Sequence, residues 1–323
     1  MESEPIIARA LAILRRGGLL GLPTETVYGL AADAENELAV RSIFAAKGRP
    51  ADHPLIVHLA DAQQLGDWAI NIPANAWRLA AAFWPGPLTI ILRRSEKAAP
   101  AVTGGLATIG LRVPSHPVAQ QVLQAFGGGL AAPSANRFGR VSPTTAQHVR
   151  EELVNRVELV LEGGPCSVGL ESTIVDLSND EPALLRFGAI TPQQIETVLD
   201  RPLADAALNT TPASGRLASH YAPRAAVELV SADEVNAKAA QWAMLGRKIA
   251  VLAPRLEMEL PGVSHRPMSV APEEFARELY AALREADAWG AELALVVPPA
   301  ESGLGLAIRD RLLKAAAPRP HGS

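Results

Sequence analysis

The chain has 323 residues, 48% of them hydrophobic and 20% charged, with a formal charge of −4. This composition builds ordinary cores, excludes a disordered chain and excludes nucleic-acid binding through net charge, although a local basic patch stays open. The length suggests two domains, and the lone cysteine, Cys166, excludes an intrachain disulfide and points to an intracellular protein.

The opening stretch, MESEPIIARALAILRRGG, carries early acids and a short amphipathic run. It has neither a basic segment followed by an apolar one, as a secretory leader has, nor a span long enough for a membrane, so the chain is expected in the cytoplasm. Further on, short apolar runs predict strands: GLLGL (18–22), PLIVHL (54–59), LTIIL (88–92), TIGLRV (108–113), LAAP (130–133), VELVLE (157–162), STIVDL (172–177) and ALLR (183–186). NELAVRSIFAAK, ANAWRLAAAFW, HPVAQQVLQAF and TTAQHVREEL between them predict helices. The first of these should start near Asn36 or Glu37 and end at Lys47, because Gly48 suits a left-handed cap and Pro50 prevents continuation.

This alternation predicts an α/β or α+β domain over residues 1–200 with a mixed sheet. Residues 200–216, DRPLADAALNTTPASGR, have no periodicity and read as a linker. Beyond it AAVELV, a helix over 233–245, KIAVLAP, a helix over 271–288, AELALVVPP and a helix near 304–316 predict a small parallel, Rossmann-like α/β domain over 226–323. No G-x-G-x-x-G turn accompanies it, so no dinucleotide is implied.

Polar loops recur at the ends of the N-terminal strands. PTETVYGL carries Thr26, and APSANRFGRVSPTT carries Ser134, Asn136, Arg140 and Ser142. GLESTIVD carries Glu171, Ser172 and Thr173. Arg112 lies inside an apolar strand, where a cation is costly without a partner. His58 lies in another such strand, as a ligand or as a satisfied core histidine. Lys47 either complements its helix dipole or meets a ligand, and Arg49 is either a solvated loop residue or part of the same site. Hydroxyl-rich strand-end loops with nearby cations suit phosphate and carboxylate binding, and with no P-loop present a nucleotide would be held another way. The seven histidines form no H-E-x-x-H and the chain has no G-x-S-x-G, so neither a protein-held metal nor a hydrolase triad is expected. Cys166, in GGPCSVG, reads as a small loop residue.

PTETVYGLAADA, KGRPADHPLIVHL, WPGPLTIIL, GLRVP, APSAN, GRVSPT, GLESTIVDL and LLRFGAIT occur in this order. Together they resemble the YrdC-type threonylcarbamoyl-AMP synthase domain over roughly residues 5–200, and SHYAPRA with the segment after it resembles the long form with a C-terminal domain. The resemblance implies a twisted mixed α/β sheet with a concave, basic site and the reaction of L-threonine, bicarbonate and ATP to threonylcarbamoyl-AMP and pyrophosphate. The product would pass to a separate tRNA threonylcarbamoyl transferase complex, with weak tRNA contact at most and no membrane role. The family's K-x-R…S-x-N signature falls on Lys47, Arg49, Ser134 and Asn136, with Lys47 and Arg49 as the catalytic cations. The resemblance further implies ATP contacts from His53, Thr108, Ser142, Arg186 and Tyr221, and threonine contacts from Thr26, His58, Arg112, Ala132 (through its backbone) and Ser172. Mg2+ would arrive on ATP. His53 stands where the family commonly has Asn, and Phe187 where Pro is common.

Residues 201–225 are expected to act as a lid, with Tyr221 touching the ATP side; a tether that docks on the second domain is the alternative. Two other functions compete. An RNA-binding surface without chemistry would need a basic, aromatic-interleaved stretch, and aromatics are only 4%. Carbamoyl transfer of the hydrogenase-maturation kind would need zinc-finger cysteines that this chain does not have.

Overall fold

Asn36 opens the first helix after the PTETVYGL motif, its side chain accepting from the N–H groups of Leu38 and Ala39. The helix, Glu37–Lys47, ends at Gly48 with φ 61°, a left-handed conformation that glycine adopts without a Cβ clash. The caps act locally, so the sequence placed both ends of this helix.

The computed structural model describes residues 3–204, 211–215 and 219–318. They divide into two compact units. The first comprises Met1–Phe138, Pro143–Ser167 and Glu171–Arg216; the second comprises Gly139–Ser142, Val168–Leu170 and Leu217–Ser323.

In the first unit the strands are β1 (Leu20–Leu22), β2 (Gly29–Asp33), β3 (Ile56–His58), β4 (Leu88–Arg93), β5 (Thr108–Arg112), β6 (Leu130–Ala131), β7 (Leu159–Val160), β8 (Thr173–Asp176) and β9 (Ala183–Arg186). They form one mixed sheet in the order β7-β1-β2-β6-β3-β5-β4-β8-β9. β3 and β5 run parallel with His58 opposite Arg112, and β4 runs parallel to β8. Val57, Ile90, Leu111 and Val175 are buried on this sheet and pack with Leu79, Val40 and Ile43 of the helices. Apolar burial of this kind is the main stabilising term.

Most predicted strands are present but shorter, because the ladder ends before the apolar run does. One strand was not anticipated. β2 is GLAAD, a run of small residues that reads as the end of a turn and becomes a strand by pairing antiparallel with β1 and β6.

The second unit holds β10 (Ala226–Leu229), β11 (Ile249–Ala253), β12 (Val263–Pro267) and β13 (Leu293–Val296), all parallel, in the order β10-β13-β11-β12. Helices Val235–Met244, Pro272–Trp289 and Leu304–Ala316 accompany the strands. β12, VSHRP, was missed because it is polar; as an edge strand it needs only one paired side.

Candidate active site

The PTETVYGL and APSAN loops are joined by backbone. Leu30 N–H donates to the Pro133 carbonyl at 2.7 Å, and Ala135 N–H to the Tyr28 carbonyl at 2.8 Å. The Lys47 ammonium donates to the carbonyls of Ser134 and Asn136, and Phe138 N–H donates back to the Lys47 carbonyl. K-x-R and S-x-N, 87 residues apart for Lys47 and Ser134, therefore meet directly. Lys47 is 3% exposed, not at a solvated helix end. Burial, with Arg49 nearby, holds its pKa well below the usual lysine value.

Arg112 is equally enclosed, at 4% exposure. Its Nη2 donates to Glu25 Oε1 at 2.6 Å, its Nη1 to Thr26 Oγ1 at 2.8 Å and its Nε to the Gly86 carbonyl at 3.2 Å. The partner that a cation in an apolar strand requires is thus Glu25. This residue lies in the PTETVYGL motif, but sequence reasoning did not single it out. The signal was the demand for a carboxylate; nothing local said which one would answer it.

His58, beside Arg112 in register, is 3% exposed and has a buried Nδ1 without a hydrogen-bond partner. Burial first, then the Arg112 charge, pushes its pKa down to about 3, so the imidazole is neutral. Ala132 is buried, and its N–H donates to the Ile56 carbonyl.

A third group lies around the start of β8. Arg186 donates through Nε to the Ser172 carbonyl at 2.9 Å and through Nη2 to Ser172 Oγ at 3.0 Å. Ser172 Oγ also shares a 2.7 Å hydrogen bond with Thr89 Oγ1, a residue not anticipated. Gly188 is required here, since a Cβ on it would lie 2.3 Å from the Thr173 nitrogen.

Arg186 Nη1 donates to the Ser214 carbonyl, and Arg49 Nη2 donates to Ser214 Oγ and to the Pro54 carbonyl. Ser214 is a further residue that sequence reasoning passed over. Arg49 also stacks over the Phe138 ring, which His53 meets edge-on at 5.4 Å. Burial and the Arg49 charge lower the His53 pKa. Thr108 lines a cavity with Pro54, Ile56, Gly110, Ile174 and Ser214.

Ser142 and Tyr221 belong to the second unit. Tyr221 is buried there: its ring stacks on Tyr280 at 6.0 Å, lies 5.1 Å below the Arg311 guanidinium and meets His220 edge-on. The expected lid over 201–225 is divided. Residues 211–215 belong to the first unit and 219–225 to the second, while 205–210 and 216–218 lie outside the described residues.

A mixed α/β sheet that encloses Lys47, Arg112 and Arg186 among strand-end hydroxyls, accompanied by a small parallel α/β unit, defines a two-unit protein equipped to hold anions. The Sua5/YciO/YrdC family, described as "Telomere recombination", matches residues 12–188, and a "Threonylcarbamoyl-AMP synthase, C-terminal domain" matches residues 190–317. The chain belongs to the Sua5/YciO/YrdC family. It is 41% identical to the threonylcarbamoyl-AMP synthase of Pyrococcus abyssi, covering 95% of this chain and 92% of that protein. It is 40% identical to the enzyme of that name from Bacillus subtilis, covering 98% and 94%. The crystal structure of P. abyssi Sua5 complexed with L-threonine superposes with a TM-score of 0.89 at 40% identity, covering 96% of this chain and 94% of that one.

Proposed function

We infer that this chain is an L-threonylcarbamoyladenylate synthase, forming threonylcarbamoyl-AMP and pyrophosphate from L-threonine, bicarbonate and ATP. The observation that carries the reading is likeness to synthases of that name over nearly the whole length. The residue chemistry agrees with it. The neutral threonine amine attacks the bicarbonate carbon; as the C–N bond forms a C–O bond breaks, and the hydroxyl leaves as water with an amine proton, giving a carbamate. A carbamate oxygen attacks the α-phosphorus, and the bond to pyrophosphate breaks. Both partners are anionic, so the site must offset their repulsion with cations.

Arg112 takes the threonine carboxylate, with Thr26, the Ala132 backbone and Ser172 around the amino acid. A neutral His58 adds no charge there and offers a hydrogen-bonding nitrogen. Arg49 and Arg186 face the nucleotide with His53, Thr108, Ser134 and Asn136. An ammonium has three N–H donors, and Lys47 uses two on loop carbonyls, so the third serves the phosphates. An arriving triphosphate offsets the desolvation that holds the Lys47 pKa down. Catalysis is then positioning and electrostatic stabilisation. Mg2+ enters as part of the ATP substrate.

The adenylate passes to a tRNA threonylcarbamoyl transferase complex, with weak tRNA contact at most. Within the first unit, residues 211–215 shield the labile product from water, with Ser214 hydrogen-bonded to both Arg49 and Arg186. Among the described residues no helix is long and apolar enough to cross a membrane. The test is incubation with ATP, L-threonine and bicarbonate, followed by detection of pyrophosphate and the adenylate. Pyrophosphate release should need all three; release without threonine would remove the reading.

A further inference from the structure

Glu25 lies between two threonines in the PTETVYGL motif, and the reaction chemistry has given it no task. It is 6% exposed. One carboxylate oxygen receives the Arg112 Nη2–H at 2.6 Å, and the other receives the Ser115 N–H at 3.1 Å. Glu25 thus ties the first polar loop both to the last residue of β5 and to the loop beyond it. The Arg112 guanidinium is held on three sides, by Glu25, Thr26 and the Gly86 carbonyl. A guanidinium carries five N–H groups. Three are engaged, so one on Nη1 and one on Nη2 remain to receive a second carboxylate.

We propose that Glu25 is the positioning residue of the amino-acid site: it sets the Arg112 guanidinium in the orientation that leaves one N–H on each terminal nitrogen for the substrate carboxylate, and it balances the buried charge while the site is empty. The proposal rests on the reading that Arg112 takes that carboxylate. The surroundings support a tuned pair. His58 next to Arg112 is neutral, and the buried Cys166 thiol, which feels both members, stays protonated. Neither neighbour supplies a charge that could replace Glu25. Without it, Arg112 would be an uncompensated buried cation free to turn toward another acceptor.

Binding of L-threonine and of L-threonine amide, which lacks the carboxylate charge, separates a positioning role from a merely structural one. Both are measured by calorimetry on the full chain, with ATP binding as the control. Glu25→Gln keeps the shape and removes the charge; Glu25→Asp keeps the charge and moves it back by one methylene. We expect each folded variant to bind L-threonine at least tenfold more weakly, with amide and ATP affinities within twofold of the parent. Equal weakening of threonine and amide, or no weakening of threonine, overturns the proposal. If Glu25→Gln does not melt cooperatively, Glu25→Asp alone decides by the same ratio. Arg112→Lys separates the underlying reading: if it leaves threonine affinity intact, the carboxylate assignment fails, whereas loss there with no change in the Glu25 variants defeats only the role of Glu25.

Discussion

Lys47 Nζ donates to the backbone carbonyl of Asn136, 89 residues further along the chain. The lysine ends its helix but turns inward, so its charge works on the APSAN loop and not on solvent. Its contacts with the Ser134 and Asn136 carbonyls therefore make it part of the packing that holds the loop, unlike a solvated helix-end lysine.

Lys47→Met removes a buried cation and leaves two carbonyls without their donor. Orphaned buried acceptors cost about 1–3 kcal/mol each, partly offset by the relief of desolvation. We expect a net loss of about 1–2 kcal/mol in urea unfolding. Pyrophosphate release should fall about 100-fold or more, the usual effect of removing a preorganised charge contact. Near-normal turnover in a destabilised variant would make Lys47 a loop clamp only.

His58 links stability to pH. Its pKa is about 3 in the folded protein against 6.5 for the free side chain. Below 6.5 the unfolded chain binds a proton that the folded one refuses, so stability is lost as pH falls from 6.5 toward 3, at most about 1.4 kcal/mol per pH unit. Urea midpoints of the parent should drop more steeply over this window than those of His58→Gln. Parallel curves would mean that His58 is protonated in the fold.

Tyr221 packs between Tyr280 and Arg311 inside the second unit. Tyr221→Ala should cost about 3–5 kcal/mol of that unit's stability, as truncation of a large buried aromatic does. Denaturant unfolding followed by the fluorescence of Trp242 and Trp289 reads this directly. The lid reading predicts in addition that proteolysis between Asp200 and Arg224 slows when ATP and L-threonine are both present. Identical cleavage rates with and without ligands would leave the segment a tether.

Serine should replace threonine poorly. The missing methyl loses on the order of 1 kcal/mol of apolar contact, a several-fold to tenfold drop in kcat/KM. Equal turnover of glycine, serine and threonine would remove the amino-acid pocket.

Local chemistry was legible in the sequence. Asn36, Gly48 and Pro50 bounded a helix because capping involves only near neighbours. Apolar runs located most of the first sheet, and Arg112 announced that a partner must exist, because a buried cation alone is too costly. The ordered motifs carried the family. What the tertiary structure decided was which distant groups meet. β6 lies between β2 and β3, and Leu30 pairs with Pro133; this brings APSAN beside PTETVYGL and turns Lys47 onto backbone carbonyls. It also selected Glu25 as the partner of Arg112 from 34 acidic residues, and placed Ser214 between Arg49 and Arg186. β2 and β12 became strands through pairing, without an apolar pattern of their own. The reason is common to all of these: periodicity and capping are short-range, whereas the identity of a buried charge's partner depends on strand order and register, which no local pattern encodes.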